Sequence, residues 1–230
     1  MSVHSDTTLV QESTDSPFLE RHRTAREAVL ASHRGRLIAA AAQLMGTKGC
    51  TAMTVGDIVE RARVSRRTFY EHFRDRDDCI LATGRLGQRF IAARIAAELA
   101  GIPGRDWRAR LRVSLQTYFE TLAAEPRLVR SAEAAMVAVG GRAVELRARA
   151  MAWSVEQMRA LNAIARRHDP SIPEVDDTEL MLLVGGIGEV VREAARLDRI
   201  EQLPEQAASV IRLAEAILSG RMRPPQEVET

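Results

Sequence analysis

Two helix-start signals stand eleven residues apart in the segment MTVGDIVERARVSRRTFYEHF, residues 53–73. Thr54 is a preferred N-cap residue, and Asp57 follows it at the third helical position, as in a capping box. Met53 and Ile58 flank this cap at the positions of a hydrophobic staple. These local signals predict that one helix begins directly after Thr54.

The second start signal repeats the first. Ser65 is the expected N-cap, and Val64 and Phe69 form the second staple. Only a tight turn near residues 62–64 separates the two predicted helices. Two short helices joined by such a turn constitute a helix-turn-helix.

The second predicted helix has one apolar side and one basic end. Phe69 and Phe73 are four residues apart, so they share a face and pack on the preceding helices. Arginine, threonine and tyrosine side chains remain near the free N-terminal end, which is the end that reading helices present to DNA bases. A merely solvated arginine-rich face is the alternative, but the two caps, two staples and turn length favour DNA binding.

The charge distribution supports a polyanionic partner. Residues 21–74 contain eleven basic and four acidic residues, a local excess of +7, whereas the whole chain carries a formal charge of only +2. Such asymmetry is typical of a chain that binds a polyanion with one region.

The remaining sequence predicts an all-α chain. Helical spacing of apolar residues extends from about residue 26 to 48 and recurs beyond residue 75, with amphipathic helices expected at 176–199 and 205–220. No run of alternating β-branched residues suggests a sheet. We expect a disordered extension at 1–20, a DNA-binding domain with a basic lead-in at 21–75, a larger helical domain at 76–221 and a flexible tail at 222–230.

The residue types needed for catalysis are not grouped. The five histidines are scattered, without a metal-binding pair on one helix, and no nucleophile elbow or phosphate loop is found. Cys50 and Cys79 are too few for a disulfide scaffold, so we interpret both as reduced core residues. We predict no enzyme activity, cofactor or metal site, and a cytoplasmic location, since no apolar targeting or membrane segment is evident.

The segment TVGDIVERARVSRRTFYEHFRDRDDCI resembles the DNA-binding signature of TetR-type transcriptional regulators. The resemblance covers about fifty residues, from the long first helix to Ile80. Arg63 and Arg67 stand where the family commonly has glycine, Arg76 replaces a lysine and Cys79 a leucine. At Arg63, the turn must either adopt a different conformation or strain a non-glycine residue.

The resemblance implies a homodimer in which three N-terminal helices bind DNA and a larger helical domain binds a small effector. Arg76 is then expected to bind an operator phosphate at the start of the fourth helix. The DNA contacts carried over by position are Thr54, Ser65, Arg66, Arg67, Thr68, Tyr70, His72 and Arg76.

Two further sets of residues are assigned in the larger domain. Apolar and aromatic residues at helical spacing are commonly core residues, but some line pockets between bundled helices. The pocket candidates are Trp107, Leu111, Tyr118, Phe119, Met136 and Trp153. By the resemblance, the final two helices build an intersubunit four-helix bundle. The interface candidates are Leu183, Ile187, Val190, Val191, Ile211 and Leu218.

The sequence therefore predicts a DNA-binding regulator that binds a pseudo-palindromic operator as a homodimer. The leading hypothesis is a repressor that a small apolar effector releases from the operator. The alternatives are an interaction protein whose helix-turn-helix contacts a protein, and an activator without a small-molecule inducer.

Overall fold

The computed structural model describes residues 32–222, and this part of the chain is all-α, without strands. The predicted extension at 1–20, residues 21–31 of the predicted DNA-binding domain and residues 223–230 of the predicted tail lie outside the described residues. In chain order the helices are α1 (His33–Thr47), α2 (Val55–Ala62), α3 (Arg66–His72), α4 (Arg76–Leu99), α5 (Trp107–Ala123), α6 (Pro126–Val139), α7 (Gly141–His168), α8 (Asp177–Arg196) and α9 (Leu203–Leu218). A short 3-10 helix, Ile200–Gln202, precedes α9. The all-α fold with an N-terminal helix-turn-helix is confirmed.

The first three helices and the start of α4 share one hydrophobic core. Leu37 of α1, Ile58 of α2 and Phe69 of α3 are fully buried in it. Cys50 and Cys79 are buried free thiols, as predicted, and burial raises the pKa of Cys79 to about 12. At neutral pH Cys79 is therefore an uncharged core residue.

Helix α6 also contributes to this first core. Ala135 is buried in this core, and the Cys50 backbone N–H donates to Ser131 Oγ at 2.8 Å. The two predicted domains, with their expected boundary near residue 75, therefore share this core, because α6 of the larger domain supplies part of it beneath the helix-turn-helix.

The second core joins α5, α7, α8 and α9. Trp107, Leu111 and Phe119 of α5 are buried against these helices. Asn162 of α7 is also buried, and its amide donates to the carbonyl oxygen of Leu218 at 2.9 Å. This bond satisfies a carbonyl at the end of α9, which is otherwise left without an intrahelical donor. Within residues 32–222, no helix is long and apolar enough to span a membrane.

Candidate nucleic-acid interface

The predicted capping box at the start of α2 is present. Thr54 Oγ1 accepts from the Asp57 backbone N–H at 3.2 Å, and Asp57 Oδ2 accepts from the Thr54 backbone N–H at 2.7 Å. Lys48 Nζ lies 2.8 Å from Asp57 Oδ2. The hydrogen bonds from Lys48 and Thr54 lower the pKa of Asp57 to about 2, so the carboxylate that closes the box is ionised at neutral pH.

The hydroxyl of Thr54 is engaged within the chain. It donates to Asp57 Oδ2 at 2.7 Å while accepting from the Asp57 backbone. A hydroxyl has one proton, and phosphate oxygens accept hydrogen bonds. The structure therefore gives the Thr54 hydroxyl a capping role. To donate to a DNA phosphate, this hydroxyl must first break its hydrogen bond to the Asp57 carboxylate.

The turn between α2 and α3 contains a left-handed residue. Arg63 has φ 52° and ψ 51°, and its backbone N–H donates to Glu60 O at 3.1 Å. The Val64 backbone N–H closes the turn onto Val59 O at 3.0 Å. Of the two alternatives at Arg63, the structure adopts the strained one, in which a non-glycine residue has the left-handed backbone conformation that glycine adopts easily.

We expect Arg63→Gly to increase the free energy of unfolding by about 1 kcal/mol. A β-carbon costs about 1–2 kcal/mol in the left-handed region, and the greater freedom of unfolded glycine offsets part of the gain. Urea denaturation monitored by circular dichroism measures the change. Arg63→Ala is the control, since it removes the same charge but keeps the β-carbon; equal stabilisation by both variants would contradict the strain.

Helix α3 is fixed at both ends. The Ser65 hydroxyl oxygen accepts from the Thr68 backbone N–H at 3.0 Å, and it lies 2.9 Å from Thr68 Oγ1. Phe69 and Phe73 are buried with ring centroids 5.6 Å apart. The predicted packing of these two aromatics is confirmed. Since one hydroxyl of the Ser65–Thr68 pair supplies the shared proton, the other hydroxyl keeps a proton for a phosphate oxygen.

Most of the predicted DNA contacts on α3 are exposed. The side chain of Arg67 is 90% exposed, with only an open ion pair to Glu71 at 3.3 Å. Tyr70 is 59% exposed and lies edge-on against Phe69. Arg66 and His72 are also exposed, whereas Thr68 is half-buried. The guanidinium and phenol groups lie in solvent, while the phenylalanine rings beneath them are buried. The exposed groups are therefore available to base edges and phosphates.

Arg76 differs from the other predicted contacts because it is half-buried and engaged. Its Nη2 lies 2.7 Å from Asp77 Oδ1, and its Nη1 donates to Met53 O at 3.4 Å. Contact between Arg76 and an operator phosphate therefore requires exchange of the Asp77 carboxylate for the phosphate.

The start of α1 adds two candidates that the sequence analysis did not assign. The His33 and His72 rings are 6.4 Å apart, and the Arg34 guanidinium lies 5.2 Å from the centre of the Phe73 ring. Both residues are exposed beside the end of α3. The signal for them was the local basic excess, which does not by itself identify individual residues.

The six pocket candidates differ in burial. Trp107, Leu111 and Phe119 are packed in the second core, whereas Tyr118 and Met136 are half-buried. Trp153 is 51% exposed, and its assignment to a ligand pocket stays a prediction. A cleft of about 380 Å³ lies elsewhere, between the second half of α8 and the start of α9, with Gly186, Val190 and Leu197 in its wall.

The interface candidates lie mainly inside the protomer. Five of them are at most 9% exposed in its own core, and Val190 is half-buried. Side chains already buried have little area left to bury against a partner. The assignment of an interface to Leu183, Ile187, Val191, Ile211 and Leu218 stays a prediction, although the core of the protomer already covers these side chains. The large apolar side chains exposed on α8 and α9 are Met181, Leu182 and Leu213.

The described residues 32–222 contain no group of three histidine, cysteine or carboxylate side chains arranged for a metal ion. Residues 37–83 match the family model described as "Bacterial regulatory proteins, tetR family". This match covers α1 to the start of α4 and confirms the resemblance found in the sequence. No curated protein matches the chain.

Solved structures share the fold over most of the chain. The fatty acid degradation regulator FadR from Bacillus halodurans is 17% identical, with a TM-score of 0.66 over 84% of this chain and 97% of its own. FadR from Bacillus subtilis in complex with stearoyl-CoA is 19% identical, with a TM-score of 0.64 over 80% and 97%. A tetR-family regulatory protein from Rhodococcus RHA1 is 15% identical, with a TM-score of 0.59 over 80% and 97%.

Proposed function

We propose that this chain is a repressor that binds a pseudo-palindromic operator and is released by a small apolar effector. The match of residues 37–83 to the model of the bacterial regulatory proteins of the tetR family supports the proposal. One observation carries the proposal. Helix α3 rests on buried Phe69 and Phe73 while Arg66, Arg67 and Tyr70 stand exposed at its surface. A reading helix requires this combination, because base contacts need side chains that are free and a backbone that is fixed.

Selection of bound DNA from a random pool, followed by gel-shift titration, tests the proposal. We expect an enriched site with two related half-sites, bound at least about a thousandfold more tightly than unrelated DNA. Equal affinity for all sequences would instead favour a helix-turn-helix that serves a protein partner or non-specific DNA.

Arg66→Ala is expected to lower operator affinity by about 1–3 kcal/mol and to relax the preference at one operator position. The physical reason is that a guanidinium donates two hydrogen bonds to a guanine edge, which no other base accepts in the same geometry. Titration against a panel of single-position operator variants measures the effect. Arg149→Ala, which removes an exposed arginine from α7, is the control; equal weakening on every operator would identify Arg66 as a phosphate contact.

The effector site is proposed among α5, α6 and α7, near Tyr118 and Met136. Tyr118 packs against the second core, and burial raises its pKa to about 12. Burial also raises the pKa of Glu133. The nearby charge of Arg147 lowers this pKa, and that of Glu189 raises it. Polar groups held in a largely apolar region are typical of ligand sites between helices. The acyl chain of stearoyl-CoA, the ligand in the Bacillus subtilis FadR structure, is apolar, so this compound and its free fatty acid are the first to test.

Effector binding and operator release are expected to occur together. Addition of a cognate ligand should change tryptophan fluorescence and weaken operator affinity by about 1–3 kcal/mol, a typical coupling free energy. The variant Trp153→Phe leaves buried Trp107 as the reporter, so a retained signal places the ligand near α5. A compound that changes the fluorescence but not operator affinity would be a ligand without an inducing role.

The proposed homodimer forms through the exposed faces of α8 and α9. Met181 and Leu182 are 55% and 70% exposed on α8, and Leu213 is 49% exposed on α9. Exposed Gly186 permits a partner helix to approach closely. A second copy supplies the second reading helix, because one helix contacts too few base pairs for selective binding.

A further inference from the structure

Arg142 belongs to the larger domain but contacts the DNA-binding unit. It lies at the start of α7, and its Nη1 is 3.2 Å from Asp75 Oδ2. Its Nη2 is 3.5 Å from Asp77 Oδ2. These partners precede Arg142 by 67 and 65 residues. One side chain therefore joins the first turn of α7 to the first turn of α4, directly after the reading helix.

Both acidic partners have a second role in the reading unit, which comprises α1, α2, α3 and the start of α4. Asp75 caps α4 by accepting from the Asp78 backbone N–H at 2.7 Å. Asp77 holds the Arg76 guanidinium, which in turn reaches the carbonyl oxygen of Met53 before α2. The chain of contacts thus extends from the larger domain to the residue that precedes the helix-turn-helix.

The carboxylates at this junction repel DNA phosphates unless positively charged side chains neutralise them. Asp75, Asp77 and Asp78 stand in sequence after α3, near side chains proposed to meet phosphates. Burial disfavours ionisation of Asp75, but the Asp78 backbone hydrogen bond and Arg142 outweigh it and lower the pKa. The Asp75 carboxylate is consequently ionised at neutral pH, and Arg142 provides the compensating positive charge.

We propose that Arg142 is a positioning residue for operator binding, which neutralises Asp75 and Asp77 and competes with Arg76 for the Asp77 carboxylate. The inference rests on the proposed function as a DNA-binding regulator. Loss of Arg142 leaves Asp77 bound to Arg76 alone and removes the ion pair that Asp75 makes with Arg142. Both consequences reduce operator affinity.

The position of Arg142 also depends on the larger domain. Ser131 and Ala135 fix α6 against the reading unit. Gly140 then turns the chain into α7 with φ 69° and ψ −138°, a conformation confined to glycine. An effector that moves the start of α7 relative to α4 alters the Arg142 ion pairs, which makes them a physical link between the effector site and the operator site.

The test compares Arg142→Gln with Arg149→Gln, which removes an exposed ion pair elsewhere on α7. We expect Arg142→Gln to weaken operator binding roughly three- to thirtyfold, and Arg149→Gln to leave it unchanged. In the Asp77→Asn background, where Arg76 is already released, Arg142→Gln should leave the salt dependence of binding unchanged. A slope still reduced by about one in that background would identify Arg142 as a direct phosphate contact and overturn the positioning role.

A double-mutant cycle with Asp77→Asn tests the competition for the carboxylate. Without Asp77, Arg76 is already free, so the effect of Arg142→Gln should shrink. Additive effects, or wild-type operator affinity of Arg142→Gln, would refute the proposal. Thermal unfolding of each variant establishes that the fold is retained.

Hydrogen exchange gives a readout that needs no DNA. In Arg142→Gln the Asp78 amide, which donates to Asp75, should exchange faster than in the wild type, while amides in α9 keep their rates. Unchanged exchange at Asp78 would contradict the contribution of Arg142 to this cap. Faster exchange in a protein that binds no DNA would refute the proposed function instead.

Discussion

Phe73→Ala is expected to abolish operator binding by unfolding the reading unit. Phe73 is 3% exposed, its ring packs against Phe69, and the Arg34 guanidinium lies over its face. Truncation of a buried phenylalanine to alanine costs about 3–5 kcal/mol. That loss is a large fraction of the stability of a small helical unit, so a lowered melting temperature and lost operator affinity should appear together.

Tyr70→Ala is the matched control on the same helix. Tyr70 is 59% exposed, so its removal creates no cavity in the core. We expect this variant to melt as the wild type does while binding the operator more weakly. If Phe73→Ala instead retained the wild-type melting curve and operator affinity, Phe73 would not be what holds α3 in place.

The caps were predictable because their determinants are local. A threonine followed three residues later by an aspartate satisfies orphan backbone donors without help from distant residues. The capping box at Thr54 and the cap at Ser65 were therefore confirmed. The sequence did not decide between the two conformations of the turn at Arg63. Its φ depends on the balance between the steric cost of the side chain and the two backbone hydrogen bonds that close the turn.

The apolar stripes of the larger domain were harder to interpret. Periodicity indicates that α8 has an apolar face, but it does not say whether the protomer or a partner covers it. The structure buries Leu183, Ile187 and Val191 within the protomer and leaves neighbouring Leu182 exposed. Adjacent leucines thus have opposite environments, and the packing of α8 against α6, α7 and α9 decides which one is inside.

Tertiary ion pairs were outside the reach of sequence patterns. The pairing of Arg142 with Asp75 joins residues 67 positions apart. No helical spacing predicts it, because the position of α7 relative to α4 depends on how two cores pack. The engagement of Arg76 by Asp77 was hidden for a related reason: adjacent charges in a sequence pair only when their backbone geometry allows it.

Leu182→Glu is expected to split the proposed dimer and to remove high-affinity operator binding. Leu182 is 70% exposed on α8, beside Met181 at 55%, so the protomer tolerates a carboxylate there. In the dimer the same carboxylate is buried without a partner, at a cost of about 3–5 kcal/mol. Light scattering measures the mass, and operator titration measures the loss of the second reading helix.

Two substitutions separate this effect from general damage. Val137→Glu introduces the same carboxylate at an 88% exposed valine of α6, so the dimer mass should persist. Ile187→Glu buries the carboxylate at a position that is 9% exposed in the protomer core, so it should unfold the larger domain rather than yield a folded monomer. A wild-type monomer, or a Leu182→Glu dimer with full operator affinity, would place the interface on another face. Exposed apolar side chains on α8 are unfavourable in water unless a partner covers them. A folded monomer from Leu182→Glu would therefore show that a partner covers this face, because a carboxylate placed on a core face unfolds the protomer.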